Sequence, residues 1–225
     1  VGKGIVDPSV VDQYVVFGAL IGAIVWNLIT WYYGLPSSSS HALIGGLIGA
    51  TVAKSGTAPL IGAGIGKTAL FIVLSPLIGM LLGALLMVAV SWICFRSTPR
   101  SVDRWFRRQL VSSALYSIGH GSNDAQKTMG IIWLLLISAG VTTADHIPAW
   151  VVISCYVALA GGTLFGGWRI IKTMGQRITK LRPVGGFAAE TGGAIALFTA
   201  SGLGVPVSTT HTITGSIVGV GSAKR

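Results

Sequence analysis

Charge is what this sequence has least of. Lys and Arg number 16 and Asp and Glu only 6, so charged residues make up 10% of 225 positions, against roughly 25% in a soluble domain. That scarcity excludes an ordinary water-facing globule. Hydrophobic residues fill 52% of the chain and the mean hydropathy is +0.75. Cysteine is scarce as well. Cys94 and Cys155 each lie inside an apolar run, with no pair spacing for a disulfide framework or a thiolate metal site, so they read as buried thiols without function. No two of the 4 histidines have zinc spacing, and no basic, apolar and small-residue zones of a signal peptide are present. Glycine is the reverse case: 32 residues, far above the usual ~7%, as transmembrane helices tolerate. The composition defines a polytopic membrane protein, and apolar runs of spanning length make the expected fold all-α.

The net charge of +10 is concentrated. Arg96, Arg100, Arg104, Arg107 and Arg108 fall in one polar segment, and Arg169, Lys172, Arg177, Lys180 and Arg182 in a second. Both follow apolar spans directly, so they read as cytoplasmic loops under the positive-inside rule rather than as a nucleic-acid surface. The chain opens on Val1 and stops on Ala223-Lys224-Arg225 just after an apolar segment, and it reads as a fragment.

Along the chain, residues 13–33 form a spanning run that ends on Trp31, Tyr32 and Tyr33, aromatics suited to a membrane interface. Residues 36–53 are shorter and open with Pro36; 54–67 read as a Gly-rich loop; 68–95 form a long span interrupted by Pro76. Residues 109–140 are apolar at both ends and broken by Gly119-His120-Gly121-Ser122-Asn123-Asp124. With both basic loops inside and 141–147 outside, this stretch must cross once, as a discontinuous helix would. A span over 148–168, an apolar segment over 183–201 and a last segment over 205–221 that opens with Pro206 complete the chain.

A duplication is the most informative feature. Leu35-Pro36-Ser37-Ser38-Ser39-Ser40-His41, followed by Ala42-Leu43-Ile44-Gly45, recurs as Val205-Pro206-Val207-Ser208-Thr209-Thr210-His211, followed by Thr212-Ile213-Thr214-Gly215. Gly49 and Gly219 extend the match. Proline suits the first turn of a helix, which would set the hydroxyls at a helix N-terminus among unpaired backbone N–H groups. Such a terminus favours an anion, and paired half-helices of this kind hold substrate in many secondary transporters. A single copy would be read as an ordinary N-cap. Two matched copies point to a site, with Ser38, Ser39, Ser40, Ser208, Thr209 and Thr210 as its donors.

Asp7, Asp12, Asp103 and Asp145 lie in polar segments or beside proline and read as solvated. Asp124 and Glu190 interrupt apolar stretches, where an acid costs roughly 2.5–3.5 kcal/mol on insertion scales and tends to face a cavity. Cation ligation and proton carriage are the roles open to them; a structural hydrogen bond to a neighbouring helix is the plainer alternative. His120 fits either a proton relay or a cap on the break. His41 and His211 brace the hydroxyl-rich turns, and His146 is a loop residue. Gly62-Ala63-Gly64-Ile65-Gly66-Lys67-Thr68 imitates a phosphate-binding loop but places three residues between Gly62 and Gly66 where the motif has four. Ser37–His41 is no hydrolase site either, lacking the nucleophile elbow.

Gly121-Ser122-Asn123-Asp124-Ala125-Gln126-Lys127 resembles the Gly-Ala-Asn-Asp signature of the PiT family of inorganic phosphate transporters, with Ser122 where alanine is usual. The two Pro-x-Ser-Ser/Thr-Ser/Thr-His segments are similar to that family's paired hydroxyl motifs, and the order agrees. The resemblance implies an inverted-repeat secondary transporter with discontinuous and re-entrant helices, moving inorganic phosphate, free or as a metal–phosphate complex, in symport with H⁺ or Na⁺ and without a bound cofactor or enzymatic activity. It assigns Asn123 to the phosphate site, Asp124, Glu190 and His120 to ion or proton coupling, and a Na⁺ position to Asn123, Asp124 and Glu190. It further implies a multi-pass protein of a bacterial inner membrane, a PhoU-like cytoplasmic accessory protein, a homodimer and no nucleic acid. On this reading residues 1–95 hold the C-terminal part of a first repeat and the following span, 96–108 a basic cytoplasmic loop, and 109–225 a truncated second repeat. A first Asn-Asp signature is expected upstream of Val1 and further membrane segment after Arg225, so that the fragment would not transport by itself. The competing expectation is a passive channel for phosphate or sulfate lined by the same hydroxyls; a third is a membrane partner in phosphate signalling.

Overall fold

The computed structural model describes residues 4–98, 101–102, 106, 110–143, 146–202 and 207–223; the side chains of residues 111, 112, 115, 119, 122, 123, 134, 138 and 201 also lie outside the described part. Its main helices are α1 (Gln13–Tyr33), α2 (Ser39–Ser55), α3 (Gly62–Ile93), α4 (Leu110–Ser138), α5 (Ala149–Gly166), α6 (Trp168–Lys172), α7 (Pro183–Gly202) and α8 (Thr209–Ala223). A π-helical turn, Thr173–Ile178, follows α6. Among the described residues, α1, α3 and α5 are long and apolar enough to cross a membrane. Their large side chains point outward, with Phe17 65%, Trp92 82% and Phe165 85% exposed, which in a bilayer is contact with lipid. At 1.5 Å per residue α3 is about 48 Å long, well over the ~30 Å hydrocarbon core, while α2 at about 25 Å falls short of it.

Two compact units are interleaved in the chain. The first comprises Val1–Tyr33, Ser39–Lys67 and Gly121–Trp168. In it α1 starts on Asp12, whose Oδ1 accepts the Val15 amide at 2.9 Å. The Asp12 Oδ2 pairs with Lys54 Nζ at 2.9 Å, tying the start of α1 to the last turn of α2. Lys54 also donates to the Val10 carbonyl at 3.1 Å. Small residues set the seam between the two helices: a Cβ on Gly46 would collide with the Ala19 backbone, and one on Gly18 would sit 3.3 Å from Ala50 Cβ. The second half of α4 packs on α5 through Ala125, Met129, Val151 and Cys155. Trp31 Nε1 donates to the Gly166 carbonyl at 2.8 Å, fixing the aromatic end of α1 to the end of α5.

The second unit comprises Gly34–Ser38, Thr68–His120 and Arg169–Arg225. Its core is Met87, Ala188, Ala189, Ile217 and Val220. Here α3 and α8 meet backbone to backbone. A Cβ on Gly79 would strike Thr212, on Gly83 Ser216, on Gly215 Pro76 and on Gly219 Met80; these are two small-xxx-small pairs facing each other. Ser216, fully buried, donates its hydroxyl to the Gly79 carbonyl at 2.9 Å. The second basic segment is helical in part and joins this core through Met174 and Leu181.

Four local expectations need correction. Residues 119–124 do not break the helix: α4 runs unbroken from Leu110 to Ser138. Glycine costs only about 1 kcal/mol in a helix interior, the segment has no proline, and the Asp124 carboxylate is held by the Lys127 side chain one turn on. The expected loop over 54–67 shrinks, because α2 extends to Ser55 and α3 begins at Gly62; Gly64 serves close approach to the backbone of Gly4. Pro76 lies inside α3 without ending it. Pro36 is not in the first turn of α2, which begins at Ser39, and Pro206 lies outside the described residues.

Candidate functional site

The duplicated segments take the same local form. Each places a buried serine immediately ahead of a helix: Ser38 (3% exposed) before α2 and Ser208 (1%) before α8. At α8 the capping geometry is explicit. Ser208 Oγ accepts the His211 amide at 3.2 Å, while the Ser208 carbonyl accepts the Thr212 amide at 3.0 Å and its hydroxyl at 2.8 Å. An N-cap oxygen that accepts from the third helical amide satisfies one of the helix's orphan donors. Its own hydroxyl proton remains a donor. Thr209 and Thr210 then occupy the first turn, Thr209 buried and Thr210 half-buried. Hydroxyls and first-turn amides together make a donor-rich, dipole-favoured place for an anion.

In the first unit the start of α2 meets α4. Lys127 Nζ donates to Ser40 Oγ at 2.6 Å and to Asp124 Oδ1 at 3.0 Å. The Lys127 and Asp124 side chains are only 19% and 15% exposed. One ammonium thus joins a hydroxyl of the repeated motif to the carboxylate of the Asn-Asp signature. Ser39, beside them, is exposed. In the second unit Glu190, on α7, accepts the Ser113 hydroxyl from α4 at 2.7 Å. His120 stacks on Tyr116 with ring centroids 5.8 Å apart and planes 11° from parallel.

Of the expected site residues, then, Ser40 and Asp124 come together through Lys127, Ser208 caps α8, and Thr209 and Thr210 line its first turn. Asp124 and Glu190 belong to different units and have different partners. The Asn123 side chain lies outside the described residues. Among the described residues no group of three His, Cys, Asp or Glu side chains gathers as a metal site. Lys127 and Ser113 lie outside the set of site residues expected from the sequence. The signal for Lys127 was there, since a cation within an apolar helix is as costly as an acid.

Among the described residues the regular elements are helices, and with three apolar spans and donor-rich helix starts they place the chain among all-α polytopic membrane proteins. The family model described as "Phosphate transporter family" matches it over residues 1–108 and 97–225, and the chain belongs to that family, one of transporters and not of enzymes. It is 60% identical to the "Probable low-affinity inorganic phosphate transporter" of Rhizobium meliloti (strain 1021), over 100% of this chain and 68% of that protein. The Bacillus subtilis (strain 168) protein of the same name is 48% identical, over 99% and 68%. That of Mycobacterium tuberculosis (strain ATCC 25618 / H37Rv) is 43% identical, over 100% of this chain and 55% of the relative. A solved structure titled "The sodium-dependent phosphate transporter" matches with a TM-score of 0.83 and 24% identity, over 99% of this chain and 74% of that one; it supports the fold.

Proposed function

We propose that this chain forms the substrate-handling part of a carrier that moves inorganic phosphate across a bacterial inner membrane in symport with H⁺ or Na⁺. The observation that carries the proposal is the pair of repeated helix starts, Ser38–Ser40 and Ser208–Thr210, whose leading serines are both buried. Each start offers hydroxyl and amide donors to an oxyanion. The names of the relatives at 43–60% identity support phosphate as that anion. The short helix α2 suits a re-entrant element, and the second copy of the motif suits an inverted repeat. Asn123 is assigned to the phosphate, and Asp124, Glu190 and His120 to coupling by the ion or proton.

The test is phosphate uptake into proteoliposomes under imposed Na⁺ and pH gradients. Accumulation against a phosphate gradient is the expected result. Equilibration without accumulation would replace the carrier by a passive anion channel, a reading the family membership does not favour. Asp124→Asn should cut uptake at least about tenfold, the scale of one lost interaction with a charged group. Wild-type uptake in that variant would remove Asp124 from the mechanism.

A further inference from the structure

Asp124 already has a cation, and it is part of the protein. We infer that the Lys127 ammonium occupies the cation seat at Asp124, making this half-site independent of sodium and adding a positively charged phosphate ligand beside Ser40. The inference rests on the phosphate-symport reading and assigns this part of the site its charge.

Three observations carry it. Lys127 Nζ lies 3.0 Å from Asp124 Oδ1 and 2.6 Å from Ser40 Oγ, so a carboxylate oxygen and a hydroxyl oxygen, both hard ligands that a sodium ion would take, converge on the ammonium nitrogen. Asp124 and Lys127 are three residues apart on α4, where i and i+3 share a face; the pairing is built into the helix. The two side chains are largely buried, at 15% and 19% exposure, where a lone charge of either sign would be costly. A tethered ammonium neutralises the carboxylate through the whole transport cycle, whereas a sodium ion would have to bind and leave. An ammonium has three N–H donors, and these two contacts use two of them. Ser40 stands in the first turn of α2, so an anion drawn to that helix start would come within reach of the same ammonium. Lysine binds phosphate as a point charge in this way.

The test compares the intact transporter with Lys127→Asn and Lys127→Arg in proteoliposomes bearing one fixed pH gradient, in sodium and in choline media. Wild type should take up phosphate at rates within about twofold in the two media, since no sodium is needed at Asp124. Lys127→Arg, which keeps the charge, should also transport in choline. Lys127→Asn should lose at least about tenfold in choline and recover in part with sodium, which can enter the uncovered seat. Sodium should also raise the melting temperature of detergent-solubilised Lys127→Asn and leave wild type unmoved, a readout that holds even if the variant transports in neither medium. Wild-type uptake that collapses in choline, Lys127→Asn that transports normally in choline, or Lys127→Asn with no sodium-induced shift would each overturn the inference. Absence of wild-type phosphate uptake in both media would instead count against phosphate symport, and the melting comparison would still decide the role of Lys127.

Discussion

Replacing Gly83 by alanine tests what seats α8. A Cβ on Gly83 would lie 2.8 Å from Ser216 Cα and 3.0 Å from its carbonyl carbon, whereas carbon atoms sit comfortably about 3.5–4.0 Å apart. The atoms in the way are backbone and cannot rotate aside, so the helices must part by about 0.8 Å. Overpacking of this kind costs about 1–3 kcal/mol, and the rigid obstacle argues for the upper end. Alanine returns about 1 kcal/mol of helix propensity, leaving a net loss near 2 kcal/mol. That corresponds to a melting temperature lower by about 4–8 °C for a chain of this size. The hydrogen bond from Ser216 to Gly79 is a smaller matter. Interhelical bonds in membranes average about 0.6 kcal/mol, so Ser216→Ala should fall well short of Gly83→Ala. The control is Gly45→Ala: nothing lies within 4 Å of that position, so the propensity gain should appear alone and the protein should melt slightly higher. Phosphate uptake gives the second readout. A shift of about 0.8 Å would stretch a ~2.9 Å contact from the start of α8 to an anion beyond hydrogen-bond range. One such charged contact is worth about 1.5–3 kcal/mol, so half-maximal uptake should need at least about tenfold more phosphate. Gly83→Ala and Gly45→Ala melting in the same direction would refute the argument.

Two further perturbations separate capping from charge. Ser208→Ala removes the acceptor for the His211 amide and should cost about 1 kcal/mol, seen as a melting shift of about 2–4 °C; Ser208→Thr should restore it, and an unchanged Ser208→Ala would show that the cap contributes nothing. Asp12 is held below the ordinary carboxylate range first by its bond to Lys54 and then by the Val15 amide. A carboxylate depressed in the folded state stabilises above its unfolded pKa, and the contribution is lost as pH falls through the folded value. Thermal melting from neutral pH down past pH ~3 should therefore show wild type and Lys54→Met converging at the acid end; a constant gap would count against the pair.

What the sequence disclosed follows from how local each signal is. The run over 13–33 became α1 with those same bounds, because an uninterrupted apolar stretch between the capping Asp12 and Gly34, at φ 67°, leaves no choice. Gly56 and Gly140, also at positive φ, follow α2 and α4 in the same way. The segment 119–124 misled because Gly, Ser, Asn and Asp are loop formers in water, where their side chains and backbone find solvent. Within α4 the backbone bonds are made internally, and the Asp124 carboxylate pairs with Lys127 one turn on. Lys127 is hard to single out in the sequence because most basic residues of this chain mark polar segments between apolar spans, whereas an acid in an apolar stretch stands out at once. The meeting of Ser40 with Lys127 joins positions far apart in the chain, and no periodicity announces it.

The duplication itself shows which part of a repeated pattern a fold must keep. Both copies deliver a buried serine and a hydroxyl-bearing first turn, because an N-cap depends only on residues next to it. The glycines that follow are another matter. Gly215 and Gly219 press against the α3 backbone, whereas the matched Gly45 and Gly49 have nothing within 4 Å. In α2 the close approach is made by Gly46, against Ala19. One residue along a helix is a turn of about 100°, so α2 meets α1 with a different face from the one α8 turns to α3. The same motif thus sits on two differently oriented supports. Donor chemistry at the helix starts is set by the motif, and the direction in which each start is held is set by which small residue the neighbouring helix selects. A substitution at Gly46 should therefore disturb the first half-site as Gly83→Ala disturbs the second, while Gly45 tolerates change although its sequence counterpart Gly215 does not.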